Sequence, residues 1–296
     1  MYYGVVTVAV IMFGAQFLFN SKYERECGNG IGATFLFSFI GGGIGVISLM
    51  IINGISISAT PFTLIIASLS ALNSILYTFC SLKAFERINL SLYSLFAMLG
   101  GMMLPFIQGI VFYDEPITIA KAVCVIFVIA ALSLCTVKSD RKGGTIYYIG
   151  VFVLNGMSGV MAKIFQSSHL PKTSNAMYSV WGALIHVMIS GSVLLIMLIA
   201  SKASKKDKNK VILKKPSGKA VLFASSCGIL NNLANFLLLI ALAVLPSSVQ
   251  YPFVTGGVMI VSTVFSFFTG SRPSKKEILS VCLSFIGIMA LVLIPM

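Results

Sequence analysis

The chain has 296 residues, of which 57% are hydrophobic and only 10% charged, against about 25% charged in a soluble domain. With a mean hydropathy of +0.98, this composition excludes an ordinary soluble globular protein. The net charge of +13 does not point to nucleic acid, because the lysines cluster between apolar runs and no basic face is interleaved with aromatics.

The apolar runs approach the roughly 20 residues needed to cross about 30 Å of hydrocarbon at 1.5 Å per residue. The two-residue alternation of a membrane barrel is absent, so the expected class is an all-α integral membrane protein. In chain order the spacing predicts ten transmembrane helices, at about Tyr3–Phe19, Ile31–Ile52, Pro61–Leu82, Leu90–Phe112, Ile117–Val137, Ile146–Gln166, Ala176–Ile199, Ala220–Ala243, Val249–Thr269 and Lys276–Ile294. No basic segment precedes span 1, so a cleaved signal peptide is not expected. Span 2 carries a glycine run from Gly41 to Gly45, which reads as a close helix-packing surface. Pro61 suits the first turn of span 3. The six cysteines are scattered and only His169 and His186 accompany them, so neither a disulfide framework nor a metal or cofactor site is expected.

The chain repeats itself. At an offset of 157, Ser68, Phe79, Leu82, Ala84, Gly100 and Met102 fall on Ser225, Phe236, Leu239, Ala241, Gly257 and Met259. The order of interruptions repeats too: a polar break, a glycine pair (Gly100-Gly101; Gly256-Gly257), then a turn containing proline (Pro116; Pro273). Tyr2-Tyr3 and Tyr147-Tyr148 match at an offset of 145, and the extra basic loop accounts for the difference. The organisation read from this is a first five-helix repeat over residues 1–138, a basic linker over 139–144, and a second repeat over 145–296 with a basic loop at 201–218. Five is odd, so the second repeat enters the membrane from the opposite side. Inverted repeats of this kind hold a substrate site near the midplane between them. All lysines and arginines except Lys121, Lys163 and Lys172 lie in or beside the connections after spans 1, 3, 5, 7 and 9. These connections are therefore expected to be cytoplasmic, with both termini outside the cell membrane.

Spans 4 and 5 are joined by an acidic turn, Asp114-Glu115-Pro116-Ile117-Thr118, ahead of a run rich in Ile, Val and Ala. With ten spans in two halves, this resembles the EamA-like branch of the drug/metabolite transporter superfamily. Glu115 and Thr118 match the Glu-x-x-Thr usual there, whereas the second half has Arg272 in place of the glutamate. The resemblance implies a ten-helix basket that moves small metabolites by alternating access. It does not name the substrate.

All eight acidic residues lie in connections or at span ends, which argues against a buried carboxylate that exchanges lipophilic cations for protons. The polar groups at depth are amides, hydroxyls and one histidine. Asn155, Gly159 and Lys163 share one face of span 6; Lys163 either snorkels to the interface or anchors a substrate carboxylate. Asn231, Asn232 and Asn235 cluster on span 8, too polar for a lipid-facing surface, and Ser70, Asn73, Ser74 and Tyr77 form a comparable stripe on span 3. Tyr93 corresponds to Gln250 at the offset of 157. His186 is either a proton-coupling group or a neutral histidine bonded to a neighbouring helix. Pro105 and Pro252 read as kinks. The expected partners are a small-molecule substrate and the lipid bilayer, in a monomer or homodimer, with proton or counter-substrate coupling left open. The leading expectation is a secondary transporter for a neutral, zwitterionic or anionic metabolite and not an enzyme. The alternatives are an integral-membrane enzyme on a lipid-linked substrate, a multidrug-type exporter, and a non-transporting receptor or scaffold.

Overall fold

The computed structural model describes residues 2–53, 57–88, 90–112, 118–134, 145–203, 216–242, 247–268 and 273–294. These form α1 (Tyr2–Cys27), α2 (Ile31–Asn53), α3 (Pro61–Phe85), α4 (Leu90–Phe112), α5 (Ile119–Leu134), α6 (Thr145–Ser167), α7 (Asn175–Ala203), α8 (Gly218–Leu242), α9 (Ser247–Phe268) and α10 (Lys275–Leu293). Seven of them, α1 to α4 and α6 to α8, are long and apolar enough to cross a membrane. The chain is thus helical with the character of a multi-pass membrane protein. The turn carrying Glu115, the position of Arg272, the linker 139–144 and most of the basic loop lie outside the described residues.

Local chemistry sets the helix ends. α1 runs eight residues past the apolar run expected for it, because the polar segment from Asn20 to Glu26 contains no helix breaker. It ends at Gly28, whose φ of 76° is the left-handed conformation that terminates helices. Asn20, Ser21 and Tyr23 are consequently buried helix residues and not loop. α3 opens on Thr60, whose side chain accepts from the Thr63 N–H, with Pro61 in the first turn. α10 opens on a capping box between Ser274 and Glu277.

Eight helices close into a ring. Each packs on the next in the order α1, α8, α2, α7, α3, α6, α4, α9 and back to α1, while α5 and α10 pack on each other outside it, with α10 against α9. Neighbours in this ring come from opposite halves of the chain at every step. The glycine run of α2 makes two of the links: a side chain on Gly228 of α8 would press on the Gly41 backbone, and one on Gly42 would meet Val187 of α7. The main core gathers around Tyr93, Leu95, Leu99, Met259 and Ile288 where α1, α4, α9 and α10 meet.

Candidate functional site

The ring has a polar inner lining, and α8 shows how it arises. Its Cys227 thiol donates to the Gln16 carbonyl of α1 at 3.6 Å, while Gly228 and Asn232 abut Gly41 and Gly45 of α2. At about 100° per residue, Asn231 and Asn235 project between these two contact lines. They lie opposite Leu222 and Ile229, which are exposed on the outer surface. Asn235 is exposed and Asn231 half-buried. Asn235 Nδ2 donates to the Asn231 carbonyl and to its Oδ1, at 2.8 and 3.1 Å. Asn232 is turned differently: its amide donates to the Gly228 carbonyl at 2.7 Å and wedges against α2.

On α3 the same construction places Ser74 and Tyr77 inward, away from exposed Leu69, Leu72 and Leu76. Tyr77 Oη is 2.8 Å from Tyr93 Oη, which is also 2.8 Å from Ser81 Oγ. Tyr93 is completely buried, held edge-on by Phe17 at 5.2 Å and against Phe85 at 4.0 Å. It is an internal cross-link, not an interfacial aromatic. The knot ties the C-terminal part of α3 to the first turn of α4.

Asn73 and Asn155 are also joined to neighbours. Asn73 Nδ2 donates to the Leu154 carbonyl and Ser158 Oγ of α6, at 2.8 and 2.9 Å. Asn155 Nδ2 donates to the Ala97 carbonyl of α4 at 2.6 Å. Both amides are thereby committed to helix packing. Replacing Asn73 with leucine is expected to lower stability by about 1 kcal/mol, since membrane interhelical bonds average about 0.6 kcal/mol each. Steric-trap unfolding in bicelles measures it. Lys163 continues the α6 face that turns Gly156 and Gly159 to Gly100 and Pro105 of α4, and is half-buried. The backbone of Gln250 lies in α9, with its side chain outside the described residues.

His186 lies on the inner side of α7, opposite exposed Met188 and Leu195. Its Nε2 and the Oγ of Ser190, one turn further, are buried with no hydrogen-bond partner among the described residues. The same holds for Gln16 Oε1 and Asn20 Oδ1 on α1, Ser38 Oγ on α2 and Gln108 Oε1 on α4. Buried polar atoms are nearly always satisfied, so these six stand out among the described residues. The sequence reading missed all of these but His186. Asn20 was assigned to a connection, and Gln16, Ser38 and Gln108 stand singly in apolar runs.

Equivalent positions make equivalent contacts. Ser70 Oγ of α3 donates to Met161 Sδ of α6 at 3.5 Å; adding 157 to the first and subtracting 145 from the second gives Cys227 and Gln16, the α8/α1 pair above. Gly14 of α1 meets Val261 and Ser262 of α9, while Gly159 of α6 meets Pro105 of α4, again 145 and 157 apart. Gly42 and Val187, which meet where α2 crosses α7, are themselves 145 apart.

No protein-family model and no curated protein matches this chain. Its fold is similar to that of a protein solved by crystallography and described only as "Crystal structure of protein", with 15% identity, a TM-score of 0.59, and coverage of 97% of this chain and 99% of the other. That likeness extends over essentially the whole length of both chains and concerns the fold.

Proposed function

We propose that the protein is a secondary transporter of the drug/metabolite transporter type. In this reading ten transmembrane helices in two inverted five-helix repeats carry a small neutral, zwitterionic or anionic metabolite across the cell membrane by alternating access. The observation that carries the reading is the pairing of contacts at offsets of 145 and 157, exemplified by Ser70 with Met161 and Cys227 with Gln16. Exchanging each helix αn with αn+5 maps the eight-membered ring onto itself. Such an exchange is what a twofold axis in the membrane plane between inverted repeats produces.

The substrate site in this account is the ring interior between α8 and α3. Asn231 and Asn235 orient the substrate there, with His186 and Ser190 on the adjacent wall. Asn73 and Asn155 support the walls, and Lys163 stands toward the outer end. With the connections after odd-numbered helices cytoplasmic, the Tyr77–Tyr93–Ser81 knot closes the cytoplasmic side. The equivalents of Tyr77 and Ser81 at the other end, Ala234 and Leu238, carry no hydroxyl. In this reading the knot marks a state shut toward the cytoplasm.

A metabolite panel screened by thermal shift and then by uptake into proteoliposomes tests the proposal. A ligand is expected that raises the melting midpoint and is transported, with uptake reduced about tenfold or more in Asn235→Ala. With its Nδ2 held by Asn231, Asn235 offers its Oδ1, which can accept two hydrogen bonds at about 1 kcal/mol each. No flux and no shift across a broad panel would count against transport.

A further inference from the structure

The end of the bundle where α1 and α3 stop carries a chain of polar contacts across the ring. Asn29, in the short link between α1 and α2, donates from Nδ2 to Glu86 Oε2 at 2.6 Å. Its Oδ1 accepts from Lys83 Nζ at 2.9 Å. Lys83 lies in the last turn of α3 and Glu86 caps that helix. A planar amide offers a donor and an acceptor side by side, so one asparagine joins a cation and a carboxylate at once.

The placement of these residues gives the contacts their meaning. In the ring order α1, α8, α2, α7, α3, α6, α4, α9, the helices α1 and α3 stand opposite one another. The link is fixed to its own helices: the Tyr23 hydroxyl of α1 donates to the Ala33 carbonyl of α2 at 2.8 Å, and the Gly28 N–H to the Glu24 carbonyl at 2.6 Å. Asn29 is therefore carried on the elbow of α1 and α2, and its two bonds tie that elbow to the far side of the ring. A cavity of 770 Å³ lies between the two sides, with Glu24, Arg25 and Asn29 from the first and Phe85, Glu86 and Arg87 from the second. Phe85 packs on Tyr93 at 4.0 Å, which joins the cavity wall to the hydroxyl knot.

The second repeat lacks the residues for such a chain. At offsets of 145 and 157 the equivalents of Asn29, Lys83 and Glu86 are Ser174, Ile240 and Ala243, and isoleucine and alanine have no polar side-chain atom. A contact that only one repeat can make belongs to one end of the molecule and is not a general requirement of the fold. We propose that the Lys83–Asn29–Glu86 chain is a latch that holds this end of the ring shut and breaks when it opens. The inference takes the opening of this end, the cytoplasmic one, from the alternating-access reading.

The test reads the latch without transport. Spin labels are placed at Lys22→Cys on α1 and Thr145→Cys at the start of α6, both exposed positions, in the full chain with its native cysteines replaced. Their distance distribution is measured in lipid nanodiscs by double electron–electron resonance. In Asn29→Ala the share of a longer distance is expected to rise about fivefold or more over the parent, since two hydrogen bonds to charged groups are lost. Glu86→Ala alone should raise it about threefold, and should add nothing in the Asn29→Ala background, because both act through one bond. If Asn29→Ala does not fold, Lys83→Met decides, with a rise of about threefold from the one bond it removes. Unchanged distances in the folded variants, or a Glu86→Ala effect as large without Asn29 as with it, would overturn the latch. Uptake into proteoliposomes separates this from the transport reading. Distances that respond without any flux keep the latch and remove transport; flux with unaltered distances does the reverse.

Discussion

Gly100→Val is expected to prevent assembly of the helical ring. A side chain at Gly100 overlaps the Phe152 carbonyl across the α4/α6 crossing, and one at Gly156 runs into the Gly100 carbonyl and Leu104. Both obstacles at Gly100 are backbone, so no rotamer change relieves them and the helices must separate. Separation also breaks the Asn155 to Ala97 hydrogen bond and opens the ring at one of its links. Overpacking ordinarily costs 1–3 kcal/mol and occasionally more. With backbone against backbone, at least about 3 kcal/mol is expected here, a large part of a typical folding free energy. Yield of monodisperse protein and reversible unfolding in mixed micelles measure it. Gly182→Ala, at a position with nothing within 4 Å, should stay within about 0.5 kcal/mol of the parent. A Gly100→Val protein as stable as the parent would mean that α4 and α6 do not cross as described.

The second large effect is expected from Tyr93→Phe. The ring of Tyr93 stays packed between Phe17 and Phe85, so what changes is the hydroxyl shared with Tyr77 and Ser81. Its loss leaves two buried hydroxyls short of a partner, at about 1–3 kcal/mol in the closed state. If opening that end of the ring already separates the three groups, the open state loses nothing. The closed state is then disfavoured by the whole amount, about tenfold in population for each 1.4 kcal/mol. Tyr77→Phe removes one of the two bonds and should shift the balance less. Measured as access of a charged reagent from the cytoplasmic side, the order of effect is Tyr93→Phe above Tyr77→Phe above the parent.

The offset of 157 was legible because it is written in positions that packing constrains. α3 and α8 begin at residues 61 and 218 and end at 85 and 242, the offset of 157 at both ends, since caps and turns recur with the same spacing. The glycine run of α2 was legible as a contact surface, whereas Gly100 and Gly101 of α4 were legible only as part of the recurring pattern. Hydrogen-bond partners were not. Asn73 and Asn155 have the same local pattern as Asn231 and Asn235, yet the first two bond across to α6 and α4 and the second two bond to each other within α8. The difference lies in how far apart neighbouring helices stand, which no single helix encodes. The extension of α1 to Cys27 was hidden because its polar letters resemble a connection, although only Gly28 can end the helix. Gln16 and Asn20 share one face of the α1 wheel with Phe13 and Phe17, a pattern already present in the sequence.

The most direct test of an enclosed polar interior between two inverted halves is labelling of single cysteines by a charged, membrane-impermeant thiol reagent. Asn235→Cys and Ile229→Cys, in a background with the native cysteines replaced, are compared in sealed proteoliposomes of known orientation. The account predicts that Asn235→Cys reacts from the outer side and gains reactivity from the cytoplasmic side when Tyr93→Phe is added, while Ile229→Cys stays inert in the bilayer. Reaction of Ile229→Cys with Asn235→Cys inert would place the asparagines against lipid and contradict it.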